Sequence, residues 1–248
     1  MNADTAAPGS APAIAVIIAA GRGSRLKSHL GPPKPLLPLA GRPLILRVLD
    51  RFAEAGIPEA IVVVGHRGDE VRKGVFAANP PVPVRFVENE RWRLSNGLSV
   101  LASREVVGGR PFFISMADHI FDTALITGLA AAPLPPGGLV LAVDRKLDAI
   151  YDMDDATKVR TAGDRIVAIG KQLDDFDAVD TGLFACTPAL FDALETTAAA
   201  HPEGDCSLSD GVTALVAGER AVVHDIGAGR WQDVDTPGAV EHATKLFG

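Results

Sequence analysis

Two cations and three carboxylates in this chain have the types and spacing that phosphate chemistry requires. Arg25 and Lys34 follow an apolar run, in the segments Ala15-Val16-Ile17-Ile18-Ala19-Ala20-Gly21-Arg22-Gly23-Ser24-Arg25-Leu26 and Pro33-Lys34-Pro35-Leu36-Leu37-Pro38-Leu39. A buried β-branched strand that empties into a loop of small residues lets backbone N–H groups approach phosphate oxygens. Arg25 and Lys34 would complete the neutralisation, and the prolines flanking Lys34 restrict where its charge can sit. The loop is therefore expected to handle a nucleoside triphosphate. It lacks the Lys-Ser/Thr pair of a Walker A loop, and Leu26 leaves the third glycine of a dinucleotide fingerprint missing. An ordinary tight strand-to-helix turn with two solvated cations is the plain alternative. Among the acids, Asp118 closes the apolar run Phe112-Phe113-Ile114-Ser115-Met116, while Asp233 and Asp235 flank Val234 and would share one side of a strand. A turn or helix cap could equally use Asp118, and Asp235-Thr236-Pro237 reads as a helix start.

The motif Gly21-Arg22-Gly23-Ser24-Arg25-Leu26, followed by Pro33-Lys34-Pro35-Leu36-Leu37-Pro38-Leu39-Ala40-Gly41-Arg42-Pro43-Leu44-Ile45, resembles the signature of nucleotidyltransferases that make sugar-nucleotides and CDP-alcohols. The likeness runs on through Asn96-Gly97-Leu98-Ser99, Met116-Ala117-Asp118-His119, Asp180-Thr181-Gly182 and Trp231-Gln232-Asp233-Val234-Asp235-Thr236. Within that superfamily, Asp155-Ala156-Thr157-Lys158-Val159-Arg160, Ile169-Gly170-Lys171-Gln172-Leu173 and Phe176-Asp177-Ala178-Val179-Asp180-Thr181-Gly182 are similar to CTP:inositol-1-phosphate cytidylyltransferases.

The resemblance implies a CTP-dependent enzyme in which an acceptor phosphate oxygen attacks the α-phosphorus and expels pyrophosphate. Such a reaction needs positioning and cations where charge develops, and no covalent nucleophile. Arg25 and Lys34 are the expected catalytic residues, Arg25 on the triphosphate and Lys34 near the α-phosphate. The nucleotide would lie against Ala19, Ala20, Gly21, Gly23 and Ser24, with Asn96 and Gly97 beside the base; a turn-forming Asn-Gly is the alternative for that pair. Mg²⁺ is the implied cofactor, held by oxygen ligands from Asp118, Asp233 and Asp235. For the acceptor, inositol 1-phosphate by resemblance, Lys158 or Lys171 would meet the phosphate and Asp144 and Asp180 the ring hydroxyls. Lys158 and Arg160 share a strand face that could simply be solvated. His119 and Trp92 fit core packing as well as a site.

Other readings remain open at this point. A phosphocholine acceptor would need an aromatic cage, hard to build from one Tyr and two Trp. Aminoalkylphosphonates need only a carboxylate for the amine, and sugar 1-phosphates share the superfamily. A silent nucleotide sensor is the non-enzyme reading.

Composition narrows the partners. The chain has 248 residues, 47% of them apolar, and a net charge of −7, which disfavours general nucleic-acid binding. No apolar run is long enough to span a bilayer, so no membrane insertion is expected. Cys186 and Cys206 have no metal-ligand spacing and read as reduced cytosolic thiols, so a cytoplasmic location is expected. The resemblance adds a functional link to a membrane CDP-alcohol phosphotransferase, and the chain is compatible with a homodimer.

The elements that must position these residues alternate between strand and helix. Strands are expected at 14–19, 60–64, 84–87 and 112–116, with helices at 44–55, 69–77 and 99–105. Such alternation implies right-handed crossovers and a Rossmann-like, mainly parallel mixed sheet flanked by helices, with ligands at the carboxyl ends of the strands. Beyond residue 139 the expected strands are 139–143, 157–161, 165–169, 179–186 and an edge strand at 222–225. Helices are expected from 188, at 207–217 and at 237–247. Residues 1–12 read as a loose tail and 13–248 as one domain, with a nucleotide-binding half at 13–120 and an acceptor-binding half at 139–248.

Overall fold

In the computed structural model, which describes residues 11–26 and 31–248, a nine-stranded mixed sheet runs through both halves of the chain. Its first half contains β1 (Ile14–Ala19), β4 (Glu59–Val64), β5 (Val84–Glu88) and β6 (Phe112–Met116), all parallel, in the order β5-β4-β1-β6. The intervening β2 (Pro38–Leu39) and β3 (Arg42–Pro43) form a separate small hairpin. The helices of this half are α1 (Leu44–Glu54), α2 (Gly68–Ala77), α3 (Gly97–Ala102) and α4 (Arg104–Val107).

A short strand β7 (His119–Phe121) and helix α5 (Thr123–Ala131) lead into the second half. That half holds β8 (Leu139–Asp144), β9 (Lys158–Ala162), β10 (Arg165–Gly170), β11 (Ala178–Cys186), β12 (Ala221–Asp225) and β13 (Trp231–Asp233). Its helices are α6 (Ala189–Ala200), α7 (Leu208–Val216) and α8 (Pro237–Phe247). The sheet continues as β6-β11-β8-β12-β10-β9, antiparallel except where β12 joins β8. The expected edge strand is therefore interior. A single pair, Arg165 with Val222, links β12 to β10 beyond it, a contact that no local pattern announces.

Alternation along β1 divides the core into two layers. Ala15, Ile17 and Ala19 pack with α1, α2 and α5 on one face, while Ile14, Val16 and Ile18 pack with α3, α6 and α7 on the other. Both layers draw on both halves of the chain. A strand buried on both faces reads as the continuous apolar run seen at 14–19. Of the expected tail, only Ala11 and Pro12 fall within the described residues, Ala11 exposed and Pro12 buried. Among the described residues no helix is long and apolar enough to cross a membrane.

Candidate active site

β1 and β6 are neighbours and parallel, so the Gly21 loop and Asp118 emerge side by side at their carboxyl ends. Each is preceded by a buried strand, which fixes where the chain leaves the sheet. Lys34 sits in a single 3₁₀ turn (Lys34–Leu36) after Pro33, is only 9% exposed, and pairs through Nζ with Asp118 Oδ2. Burial works against charge on Asp118, yet the Lys34 ammonium holds its carboxyl below the usual carboxylate range. Gly23, at φ +65°, packs on the Lys34 stem; a Cβ there would lie 2.7 Å from Lys34 Cβ. The loop glycine thus serves to hold the cation. The side chain of Ser24 lies outside the described residues.

The second pair of carboxylates arrives from the far end of the chain. β13 pairs antiparallel with β7, setting Asp233 opposite His119, and the Val234 N–H donates to the Asp118 carbonyl at 2.8 Å. β13 ends at Asp233, so Asp235 lies beyond the strand, where Thr236 caps α8 through its hydroxyl. Asp233 and Asp235 still converge. Their carboxylates and that of Asp155 lie within 4.8 Å of one another. Burial pushes the Asp233 carboxyl up, and the nearby Asp235 and Asp118 charges add to this. This all-oxygen set suits a hard divalent cation, and it takes in Asp155 where Asp118 was expected, Asp118 being engaged by Lys34.

Arg25 bridges two of these acids, with Nη1 2.6 Å from Asp155 and Nη2 2.5 Å from Asp235. Asp155 also accepts from Lys171 Nζ at 2.7 Å. Although burial opposes its charge, Lys171 and Arg25 hold Asp155 below the usual range. Its carboxylate therefore links Arg25 to Lys171.

A cavity of about 640 Å³ opens from these residues across the carboxyl ends of the strands, lined by Asp144, Lys146, Lys171, Asp180 and Trp231 among others. A smaller chamber of about 240 Å³ adjoins it, lined by Ala19, Gly21, Gly23, Arg25, Lys34 and Asp118. Asp144, 3% exposed, is held on both oxygens. Lys146 donates to one from both its backbone N–H and its Nζ, and Trp231 Nε1 donates to the other at 3.0 Å. Asp180 accepts from the Gly182 N–H at 2.7 Å, and burial pushes its carboxyl up to about 6.

Several expected residues have other duties. Lys158 does not line the cavity; its ammonium donates to the carbonyls of Lys171 and Asp154, bracing the segment that carries Lys171. Arg160 pairs with Asp175 on the exposed face. Asn96 does line the cavity, but its side-chain oxygen accepts the Leu208 N–H at the start of α7. Gly97 permits close packing, since a Cβ would lie 2.6 Å from the Cys206 carbonyl. The Ala20 carbonyl accepts the His66 N–H. Asp155, Lys146 and Trp231 join the site with no role read for them in the sequence; Asp155 and Trp231 meet partners distant in the chain, while Lys146 holds Asp144 two residues before it. The local signal for two of them is that Asp155 opens the segment that carries Lys158 and Trp231 opens the one that carries Asp233.

Comparison with known proteins identifies the family. Residues 15–202 match the model of the MobA-like NTP transferase domain. The chain is 38% identical over 226 residues to a protein of Rubrobacter xylanophilus named bifunctional IPC transferase and DIPP synthase, covering 90% of this chain and 49% of that protein. It is 31% identical over 264 residues to the CMP-5'-(3-aminopropyl)phosphonate synthase of Streptomyces rubellomurinus, covering 99% of this chain and 40% of that one. The chain thus spans half or less of the length of these two curated relatives. Among solved structures, the inositol-1-phosphate CTP transferase from T. maritima superposes with a TM-score of 0.84 at 27% identity, covering 96% of both chains. With the Gly21 loop, Asp118 and most of the sheet within the matched span, the chain belongs to the MobA-like NTP transferase domain family.

Proposed function

We propose that this chain is a cytidylyltransferase that transfers CMP from CTP to a small phosphorylated alcohol, inositol 1-phosphate, releasing pyrophosphate. One observation carries this reading: a cation-lined chamber at the Gly21 loop adjoins a larger cavity bearing paired carboxylates and Lys171. The first compartment suits a triphosphate, the second a phosphate on a hydroxylated body. The likeness to the T. maritima inositol-1-phosphate CTP transferase over nearly the whole of both chains supports the choice of nucleotide and acceptor.

In this reading Arg25 exchanges its carboxylate partners for the triphosphate, and the backbone at Gly21 and Gly23 follows the phosphates. Lys34, buried and braced, meets the charge that develops at the α-phosphorus. Lys171 holds the acceptor phosphate for in-line attack, while Asp144 and Asp180 accept from hydroxyls. Asp118, Asp233 and Asp235 would hold Mg²⁺, whose chemistry is to screen phosphate repulsion and stabilise the leaving pyrophosphate. The product would feed a membrane CDP-alcohol phosphotransferase.

An aminoalkylphosphonate is the second acceptor, supported by the likeness to the CMP-5'-(3-aminopropyl)phosphonate synthase of Streptomyces rubellomurinus. Pyrophosphate release with CTP and Mg²⁺ separates the two when inositol 1-phosphate is compared with 2-aminoethylphosphonate and hexose 1-phosphates. Selective turnover of inositol 1-phosphate is expected. Preference for the phosphonate would replace the acceptor, and silence with every acceptor and nucleotide would leave a nucleotide-sensing module.

A further inference from the structure

His119 is seated by more devices than core packing requires. β11 slips register against β8 between Asp180 and Phe184, and within that irregularity the Thr181 carbonyl lies 2.8 Å from His119 Nδ1. The Thr181 hydroxyl is itself fastened to the Ala142 carbonyl at 2.8 Å. Gly182 follows at φ +76°, and a Cβ on it would come within 2.3 Å of Nδ1 and 2.6 Å of Cε1, so only glycine leaves space for the ring. The Trp231 ring lies on another side, with its centroid 6.0 Å away.

A carbonyl oxygen can only accept, so Nδ1 carries a proton, and the tautomer with Nδ1–H has its lone pair on Nε2. That nitrogen lies 4.0 Å from Asp118 Oδ1, beyond hydrogen-bond reach, and no group among the described residues donates to it. The ring lines the larger cavity and not the chamber at the Gly21 loop. One nitrogen is locked and the other is offered to the acceptor side.

We propose that His119 Nε2 accepts a hydrogen bond from an acceptor hydroxyl on a carbon next to the phosphate ester, and so selects phosphorylated polyols. A dianionic phosphate has no proton to give this lone pair, so the donor is a hydroxyl. The adjacency of His119 to Asp118, at the reacting end of the cavity, places that hydroxyl close to the attacking phosphate. Asp144 and Asp180 accept from the remaining hydroxyls. The inference rests on the cytidylyltransferase reading above.

The test compares initial rates of wild type, His119→Ala and His119→Gln with inositol 1-phosphate and with analogues lacking the hydroxyl on either carbon flanking the ester. His119→Ala should raise the acceptor KM about three- to tenfold, as expected for one lost hydrogen bond, with the CTP KM and the Mg²⁺ dependence unchanged. One of the deoxy analogues should show that rise already in wild type and be insensitive to the substitution. The Gln side-chain oxygen should recover part of the loss. Equal effects of His119→Ala on parent and both analogues would overturn the inference, as would a loss expressed in the CTP KM. If His119→Ala does not fold, the wild-type comparison decides: equal KM values for parent and both analogues refute it. Failure of wild type to use any polyol phosphate would instead bring down the proposed function, and this inference with it.

Discussion

Gly23→Ala isolates the placement of Lys34. The new Cβ would stand 2.7 Å from Lys34 Cβ and 2.9 Å from Cδ, where ordinary contact begins at 3.4 Å, so the stem must retreat by about 0.7 Å. It has little freedom to do so. Lys34 is buried, lies between Pro33 and Pro35, accepts the Leu37 N–H on its carbonyl oxygen, and is ion-paired to Asp118. Left-handed backbone at an alanine adds about 1 kcal/mol, and the overpacking about 1–2 kcal/mol more. Together these should lower the melting temperature by roughly 4–12 °C. A displacement approaching 1 Å at a reacting cation should lower kcat by about ten- to a hundredfold. Gly41→Ala is the control, because Gly41 has φ +82° and a methyl group there would meet nothing within 4 Å. It carries the same backbone strain and no clash, so its melting temperature should fall by about 2–4 °C with kcat within about twofold of wild type. Thermal unfolding and pyrophosphate release, measured on both variants, give the answer. A Gly23→Ala enzyme with the kcat of Gly41→Ala would refute the claim that the loop glycine holds the cation.

Three further outcomes are expected. Asp118→Asn should lower kcat by about 10²–10³-fold while far-ultraviolet circular dichroism remains that of wild type; retained turnover would exclude Asp118 from the reaction. Trp231→Phe removes the indole donor from Asp144 and should raise the acceptor KM about three- to tenfold with the CTP KM unchanged, a split read from initial rates. Asp180, pushed up to about 6 by burial, gives a pH-dependent stability difference. Because its folded value exceeds the unfolded one, near 4, its favourable contribution is complete below about pH 4 and is lost as pH rises through about 6. Asp180→Asn should therefore be the more stable protein at about pH 8, by on the order of 2 kcal/mol, with the gap closing toward about pH 4; equal melting temperatures at both pH values would count against the buried carboxylate.

What the sequence reveals most clearly is what local pattern encodes. The run Ile14–Ala19 and the run Phe112–Met116 form strands with the expected bounds, since strands covered on both faces are apolar throughout. Thr236-Pro237 starts α8 as its cap chemistry requires. What stays hidden depends on distant partners. β7 and β13 are three residues each and gain their structure only from one another. α5 escapes pattern reading because its sequence, TALITGLAA, is nearly apolar all round and shows little helical periodicity. Asp155 has partners 130 residues upstream, at Arg25, and 16 residues downstream, at Lys171. The spacing of Lys158 points toward the acceptor, while the folded chain uses it to hold backbone carbonyls.

The ladder between β7 and β13 also bears on how the protein comes into being. It joins His119 to Asp233 and Phe121 to Trp231, contacts that span more than a hundred residues of chain. Closing a loop of that length costs little more entropy than pairing β1 with β6, whose partners Ala15 and Phe113 are nearly as far apart in the chain, so the order in which the chain emerges sets when the ladder can form. During synthesis the segments that carry the Gly21 loop, Lys34 and Asp118 emerge well before those that carry Asp233 and Asp235. Until the segment carrying Trp231–Asp233 has emerged, β7 has no strand to pair with and Asp118 is held by Lys34 alone, so the mouth of the sheet is finished by a segment far along this sequence.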